Sequence, residues 1–119
     1  MEDYKELVVW QKSMQIVKNI YSLIRNLPKE EQYGLSDQMR RAAVSIPSNI
    51  AEGFGRHAAK DYCRFLSIAR GSKYELETQI DICMMLGYLC ENDVNETLSL
   101  LDEVGKMLNS LINKLASKQ

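Results

Sequence analysis

A chain of 119 residues has room for one domain with one hydrophobic core, and its 15 Lys or Arg residues nearly balance its 16 Asp or Glu residues. This balance excludes a protein that is drawn to nucleic acid or membrane by its total charge alone. No apolar run reaches the ~18 residues of a membrane span, and the charged start, MEDYKEL, lacks the apolar core of a signal peptide. We therefore expect a cytoplasmic protein with no membrane association.

The composition favours an all-α protein, because the chain has only two prolines, six glycines and few β-branched runs. The three cysteines, Cys63, Cys83 and Cys90, are odd in number and lack the spacing of metal ligands. This pattern is typical of reduced thiols buried on helices.

The first predicted helix covers residues 7–26. Pro28 closes it, and residues 29–34 form the turn that follows. Apolar residues spaced by four and three positions make a heptad-like seam along this helix: Trp10, Met14, Val17, Tyr21 and Ile24.

The second predicted helix lies within residues 33–56, YGLSDQMRRAAVSIPSNIAEGFGR. Its apolar register continues through Pro47, which lacks an N–H and whose ring presses on the carbonyl four residues earlier. Two interpretations remain open. One is a single helix kinked at Pro47, which we favour; the other is a stop and a restart at Asn49, with Glu52 at capping-box spacing. The glycines of the GFG segment end the helix.

The third and fourth predicted helices cover residues 59–86 and 94–116. Gly71, inside the third, predicts a close approach by another helix, since glycine costs helix stability there. Four amphipathic helices with short links predict an antiparallel up-and-down four-helix bundle, one domain over residues 1–119. The inward stripe of helix three comprises Tyr62, Phe65, Ala69, Ser72, Leu76, Ile80 and Cys83, and that of helix four comprises Leu98, Leu101, Leu108, Ile112 and Leu115.

The apolar stripes of helices one and four are wider than a monomeric bundle needs. This surplus predicts a subunit interface and hence a homo-oligomer. The alternative is a generous core with leucines tolerated at the surface.

Charge is distributed unevenly along the chain. Residues 39–73 hold seven Lys or Arg and two acids, whereas residues 74–103 hold eight acids and no Lys or Arg. One interpretation is that these faces pair with each other across the bundle. The other is a basic surface that binds the phosphates of nucleic acid, which needs charge rather than sequence readout. The candidate nucleic-acid-binding residues are Arg40, Arg41, Arg56, Lys60, Arg64, Arg70 and Lys73.

The residues of common enzyme chemistries are missing or isolated. His57 is the only histidine, which excludes a His-rich metal site within one chain. Glu52 has no second acid spaced to meet it on its helix, and no serine lies in a nucleophile-elbow context. The sequence predicts a non-catalytic protein with no cofactor and no metal.

Three segments carry a family resemblance: LVVWQKS, LPKEEQYGLSDQMRRAAVSIPSNIAEGFGR, and FLSIARGSKYELETQI followed by LGYL. They resemble the four-helix bundle protein family, which includes proteins encoded by intervening sequences inside bacterial 23S ribosomal RNA genes. The resemblance covers roughly residues 4–115 and implies an up-and-down bundle that assembles as a ring, a homopentamer. The SIPSN segment is interpreted as structural, fixing the bend of helix two and the packing of helix three.

A related branch of that family, the accessory protein of diversity-generating retroelements, is strongly basic and binds nucleic acid and a reverse transcriptase. The resemblance implies that the basic residues of helices two and three bind RNA or DNA here. The present chain departs from that branch in its acidic residues 74–103. The alternative function is a protein-interaction scaffold whose protein partner binds this acidic block or one end of the bundle.

Overall fold

The computed structural model describes residues 3–118. Its four long helices are, in chain order, α1 (Val8–Leu23), α2 (Leu35–Phe54), α3 (Ala59–Met85) and α4 (Glu91–Ala116). Each helix packs against the next, and α1 also packs against α4, which confirms the predicted four-helix bundle. It measures 46 × 24 × 21 Å. None of the helices in residues 3–118 combines the length and apolarity needed to cross a membrane.

The hydrophobic core is aliphatic and draws on all four helices. Full burial of one such side chain stabilises the fold by about 1.5–3 kcal/mol. The periodicity of the sequence therefore accounts for the bundle without any special packing motif. The largest fully enclosed side chains are Ile16, Ile20, Met39, Ile46, Ile50, Leu66, Leu76, Ile80, Val94, Leu101, Val104 and Leu108.

Helix α1 turns a different face to the core from the predicted heptad-like seam. On that seam, Met14 and Tyr21 are each 43% exposed. The neighbouring stripe is buried instead, even though it contains a polar residue, because the Ser13 hydroxyl donates a 2.7 Å hydrogen bond to the carbonyl oxygen of Val9. The predicted seam is thus wrong as the core face and lies at the edge of α1. The buried stripe comprises Val9, Ser13, Ile16, Ile20 and Leu23.

Helix α2 runs without a break through Pro47, so the single-helix interpretation is confirmed and the restart at Asn49 is wrong. Asn49 donates through Nδ2 to the carbonyl oxygen of Ser45, at 2.8 Å, and to its hydroxyl, at 3.0 Å. The Ser45 and Ser72 hydroxyl oxygens are 2.7 Å apart and join α2 to α3. The polar residues around Pro47 therefore hold one helix to the next, as the structural interpretation of SIPSN predicts.

Helix α4 begins three residues earlier than the sequence predicts. The Asp93 carboxylate accepts a 2.9 Å hydrogen bond from the backbone N–H of Cys90, so the helix starts at Glu91. The same bond holds the pKa of Asp93 below its ordinary value. Cys90 is exposed at this N-cap, which corrects its predicted burial. Cys83 is buried as predicted, and burial, followed by the nearby Glu31 carboxylate, raises the pKa of its thiol to about 11.

The links α1–α2 and α3–α4 meet at one end of the bundle. The Tyr88 hydroxyl donates to Glu31 Oε2 at 2.9 Å, and Glu31 Oε1 accepts the backbone N–H of Leu35 at 3.3 Å. Glu31 therefore caps the start of α2 and also holds the far link in place. The α2–α3 link lies at the opposite end.

Gly53 permits the closest contact between α2 and α3. A Cβ atom at this position would lie 2.9 Å from Phe65 Cβ, 2.9 Å from the Tyr62 ring and 3.3 Å from the Tyr62 carbonyl oxygen. These atoms belong to the base of a side chain, a packed ring and the backbone, and none can move easily. Only glycine therefore fits here without displacing α3.

The other two glycines inside helices differ in what they face. A Cβ atom at Gly105 would lie 2.8 Å from the terminal carbon of the Lys73 side chain, whereas one at Gly71 would meet nothing within 4 Å. The close approach predicted at Gly71 is therefore wrong within this chain. Glycine at this position costs about 1 kcal/mol of helix stability relative to alanine, and no contact inside the chain requires it.

The contrast between these contacts gives a matched pair of substitutions. Alanine improves helix propensity by about 1 kcal/mol at either site, and a methyl group that overpacks a rigid site costs about 1–3 kcal/mol. We expect Gly53→Ala to lower the free energy of unfolding by roughly 1–2 kcal/mol. Gly105→Ala should change it by less than about 0.5 kcal/mol, since the mobile end of Lys73 can move. Urea unfolding followed by circular dichroism measures both, and equal effects would contradict this account.

Candidate nucleic-acid interface

The seven candidate basic residues do not form one continuous surface. They separate into a pair on the first turns of α2, a group at the α2–α3 corner, and a pair on the side of α3 that faces α4. Each group has different electrostatic neighbours, so each is considered separately.

Arg40 and Arg41 share one carboxylate. Arg40 Nη2 lies 2.9 Å from Asp37 Oδ1, and Arg41 Nε lies 3.0 Å from Asp37 Oδ2. The Arg40 hydrogen bond is the largest of the causes that lower the pKa of the Asp37 carboxyl, and Arg41 adds to it. Arg41 nevertheless remains 79% exposed at its side chain. This group therefore keeps one net positive charge at the surface.

Lys73 is buried rather than presented to solvent. The residue is 8% exposed, and its stem packs against the face of α4 that Gly105 leaves open. Its ammonium lies 3.2 Å from Glu77 Oε2 and 4.5 Å from the centroid of the Tyr74 ring. In this position Lys73 joins helices and cannot reach a phosphate, so its geometry disfavours the predicted binding role.

Arg70 also contributes to contact between helices. Its Nη1 donates a 2.9 Å hydrogen bond to Asn109 Oδ1 on α4. The adjacent pair on α3, Arg70 and Lys73, thus packs towards α4 and away from the other candidates. The sequence pattern missed this because it counts charges without showing which face of a helix is covered.

The α2–α3 corner brings the remaining three cations together; Arg56, Lys60 and Arg64 are called the basic corner below. The Cζ atoms of Arg56 and Arg64 lie 4.7 and 4.4 Å from the centroid of the Phe65 ring. Lys60 is exposed one helical turn before Arg64. Cation–π contact with one ring holds the two guanidinium groups near each other. The sequence predicted Phe65 as a core residue, and the structure shows it half-buried beneath these arginines.

Two acids moderate the charge of the basic corner. Arg56 Nη2 lies 2.9 Å from Glu52 Oε2, and Arg64 Nε lies 3.6 Å from Asp61 Oδ1. Three cations against two acids leave one net positive charge here. Both carboxylates are about half exposed, at 56% and 51% of their side chains, so water screens these pairs and the arginines can exchange partners.

The first turn of α3 adds positive potential at the same corner. Ala58 occupies the N-cap and offers no side-chain acceptor. The first N–H groups of a helix lack partners within the helix, and the helix dipole places partial positive charge at this end. The start of a 27-residue helix thus lies beside Lys60.

Ion pairing across the bundle does not account for the uneven charge of the sequence. Of the seven ion pairs in residues 3–118, six join residues three or four apart on one helix. The seventh joins Lys12 on α1 to Glu103 on α4, at 2.6 Å. Most of the basic and acidic faces are therefore left to interact with solvent or with another molecule.

The other chemistry-bearing side chains are dispersed. His57 is exposed in the α2–α3 link. Within the part of the chain that the structure describes, no three His, Cys, Asp or Glu side chains gather in an arrangement that could hold a metal ion.

These features define an all-α, up-and-down four-helix bundle with a cationic corner. A model of the 23S rRNA-intervening sequence protein family matches residues 5–110, and the chain belongs to this family. It is also similar to a crystal structure from Bacteroides thetaiotaomicron VPI-5482, described as a protein of unknown function from the S23 ribosomal protein family. The two are 25% identical with a TM-score of 0.81, over 88% of this chain and 98% of that one. No curated protein matches the chain.

The Asp37 contacts give a titration test. We expect Arg40→Gln to raise the pKa of Asp37 towards its ordinary value of 3.8, and by more than Arg41→Gln does, because the Arg40 bond is the largest cause of the lowered pKa. The lowered pKa implies stability that is present above pH 3.8 and is lost as the pH falls through the folded-state pKa. Carboxyl chemical shifts measured by NMR against pH report both changes. Identical Asp37 titrations in the three proteins would contradict this arrangement.

Proposed function

We propose that this chain is a non-catalytic, self-associating bundle that binds the phosphate backbone of structured RNA, or another nucleic acid, through its basic corner. The observation that carries the proposal is the placement of three cations at the corner, two of them on the Phe65 ring. This is a narrower site than the sequence predicted, since it uses Arg56, Lys60 and Arg64 from the seven candidates.

The geometry of the basic corner suits phosphate better than a base. Its cations are exposed and clustered, and the start of α3 supplies further positive potential for an anion. The Phe65 ring is occupied by the two guanidinium groups, so it is not available for stacking on a nucleotide base. Such contacts give affinity without sequence preference.

Self-association would multiply this modest charge. One net positive charge per copy attracts a polyanion weakly, whereas a ring would repeat the corner around its axis and strengthen the field. The exposed apolar residues along α1, including Met14 and Tyr21, supply the surplus surface that an assembly needs. The family's name refers to 23S rRNA, so structured RNA is the first ligand to test.

The surroundings of the two residues that could act as acid or base support a non-catalytic role. The Glu52 carboxylate is engaged by Arg56, and His57 is exposed in a link without a neighbouring nucleophile in the contacts described above. Acid–base catalysis needs such groups aimed at a shared substrate position. Neither residue meets that requirement.

Charge reversal tests the basic corner. We expect Lys60→Glu and Arg64→Glu each to raise the Kd for a short structured RNA about tenfold at low salt, the equivalent of about 1.4 kcal/mol for one charge-assisted contact. Lys29→Glu is the matched control, since Lys29 is equally exposed and lies in the link at the opposite end of the bundle. Fluorescence anisotropy gives the three affinities.

The pattern among the variants decides the outcome. A loss at the corner with little change for Lys29→Glu supports the site. Equal losses for all three variants would show that net charge alone matters, and unchanged affinities would overturn the basic corner as the binding site. Circular dichroism establishes that each variant remains folded.

A second candidate function is that of a protein-interaction scaffold. Large apolar side chains are exposed at the end where the links α1–α2 and α3–α4 meet: Tyr33 at 88%, Met85 at 76% and Leu86 at 50%. Solvent-exposed groups of this kind often mark a protein contact. Recovery of the same protein partner with and without nuclease, and its loss in Met85→Glu, would favour this function over nucleic-acid binding.

A further inference from the structure

An apolar groove runs along the outside of the bundle between α1 and α2. Its first pocket has a volume of about 360 Å³ and is lined mainly by Trp10, Met14, Val17, Val44 and Pro47. Val44 is 40% exposed at the centre of the groove. The residues of the predicted heptad-like seam form one wall, which explains their strong periodicity even though they are not the core face.

The groove continues into a cationic section. A second pocket, of about 380 Å³, shares Val44 with the first and is also lined by Tyr21, Arg40 and Arg41. Arg25 and Lys29 line the pocket that follows along α1. An occupant of the whole groove should therefore combine a small apolar surface with acidic side chains.

The outer face of α3 has this combination. Ile68, Gly71 and Glu75 share one helix face because they are three and four residues apart. Ile68 is 43% exposed, and Gly71 and Glu75 are exposed as well. Gly71 lowers helix stability without serving any contact inside the chain. A helix surface that is bare at one point allows the backbone of another molecule to approach closely.

The heights of the two surfaces along the bundle also match. The Ser45–Ser72 hydrogen bond sets α2 level with α3, and these neighbouring helices run in opposite directions. Val44 is therefore nearly level with Gly71, and Arg41, one turn earlier on α2, is nearly level with Glu75. Copies related by rotation about an axis along the bundle would bring these levels together.

We propose that the α1–α2 groove of one copy receives the outer face of α3 of the next copy. Ile68 fills the apolar pocket, Gly71 packs on Val44, and Glu75 pairs with Arg41. Because the two surfaces differ, the contact is heterologous and repeats from copy to copy until a ring closes. The inference rests on the proposed self-association and specifies the residues that make it.

Substitution of the exposed glycine provides the sharpest test. Gly71→Gln improves the intrinsic helix propensity of α3 while adding bulk at the proposed contact. We expect the melting temperature of the dissociated chain to rise and the dissociation constant of the assembly to rise at least about tenfold, as for loss of a central interface contact. Ser99→Gln, at an exposed position on α4, is the matched control and should leave assembly unchanged. Native mass spectrometry and light scattering over a concentration series measure the mass.

A charge exchange tests the predicted pairing. Arg41→Glu and Glu75→Arg should each weaken assembly, and the two together in one chain should restore it, since the ion pair is then reversed. Failure of the double variant to recover would contradict the pairing, because each single change would then act independently.

The outcomes separate this inference from the proposed function. Assembly that is unaffected by Gly71→Gln overturns the α3 contact and leaves self-association standing. A two-fold dimer overturns the heterologous pairing, and a monomer at all concentrations overturns both self-association and the second copy as occupant. All of these measurements are made without nucleic acid, so loss of RNA binding alone leaves the inference intact.

Discussion

The close contact at Gly53 is the constraint on which the candidate site depends. The absence of a side chain there lets the end of α2 pass against Tyr62 and Phe65 at the start of α3. That approach holds the Phe65 ring at the corner, where it carries the guanidinium groups of Arg56 and Arg64. A helix pair held further apart by one methyl group would separate these cations. Packing inside the bundle and charge at its surface are thus linked through one residue.

The molecule presents different chemistry on its different surfaces. The α2–α3 end carries the basic corner, the opposite end exposes Tyr33 and Met85, and the long side between α1 and α2 is an apolar groove with arginines along part of its length. Most ion pairs in the described chain stay within one helix, so charge is not neutralised between helices. Such a bundle is better suited to contacts with other molecules than to enclosing a reaction.

Helical periodicity predicted the number, order and approximate bounds of the helices because each must bury an apolar face. It misplaced the core face of α1, since two neighbouring stripes have the same spacing and the buried one contains Ser13, whose hydroxyl bonds to its own helix. It also could not show that Lys73 is buried, because that depends on the space left by Gly105 on another helix. The arginines at the Phe65 ring were missed for the same reason: local patterns carry no information about contacts between distant segments. Family resemblance correctly supplied the bundle and the family, whereas assembly and binding remain to be measured.

The most direct test is the salt dependence of RNA binding by the unmodified chain, on material whose oligomeric mass is known. Fluorescence anisotropy with a short structured RNA and with duplex DNA, over a series of salt concentrations, measures how many phosphates the protein neutralises. The account predicts binding at low salt that weakens steeply as salt rises, with a steeper dependence for the assembled form than for a dissociated one. No binding at low salt, or binding that is insensitive to salt, would contradict it.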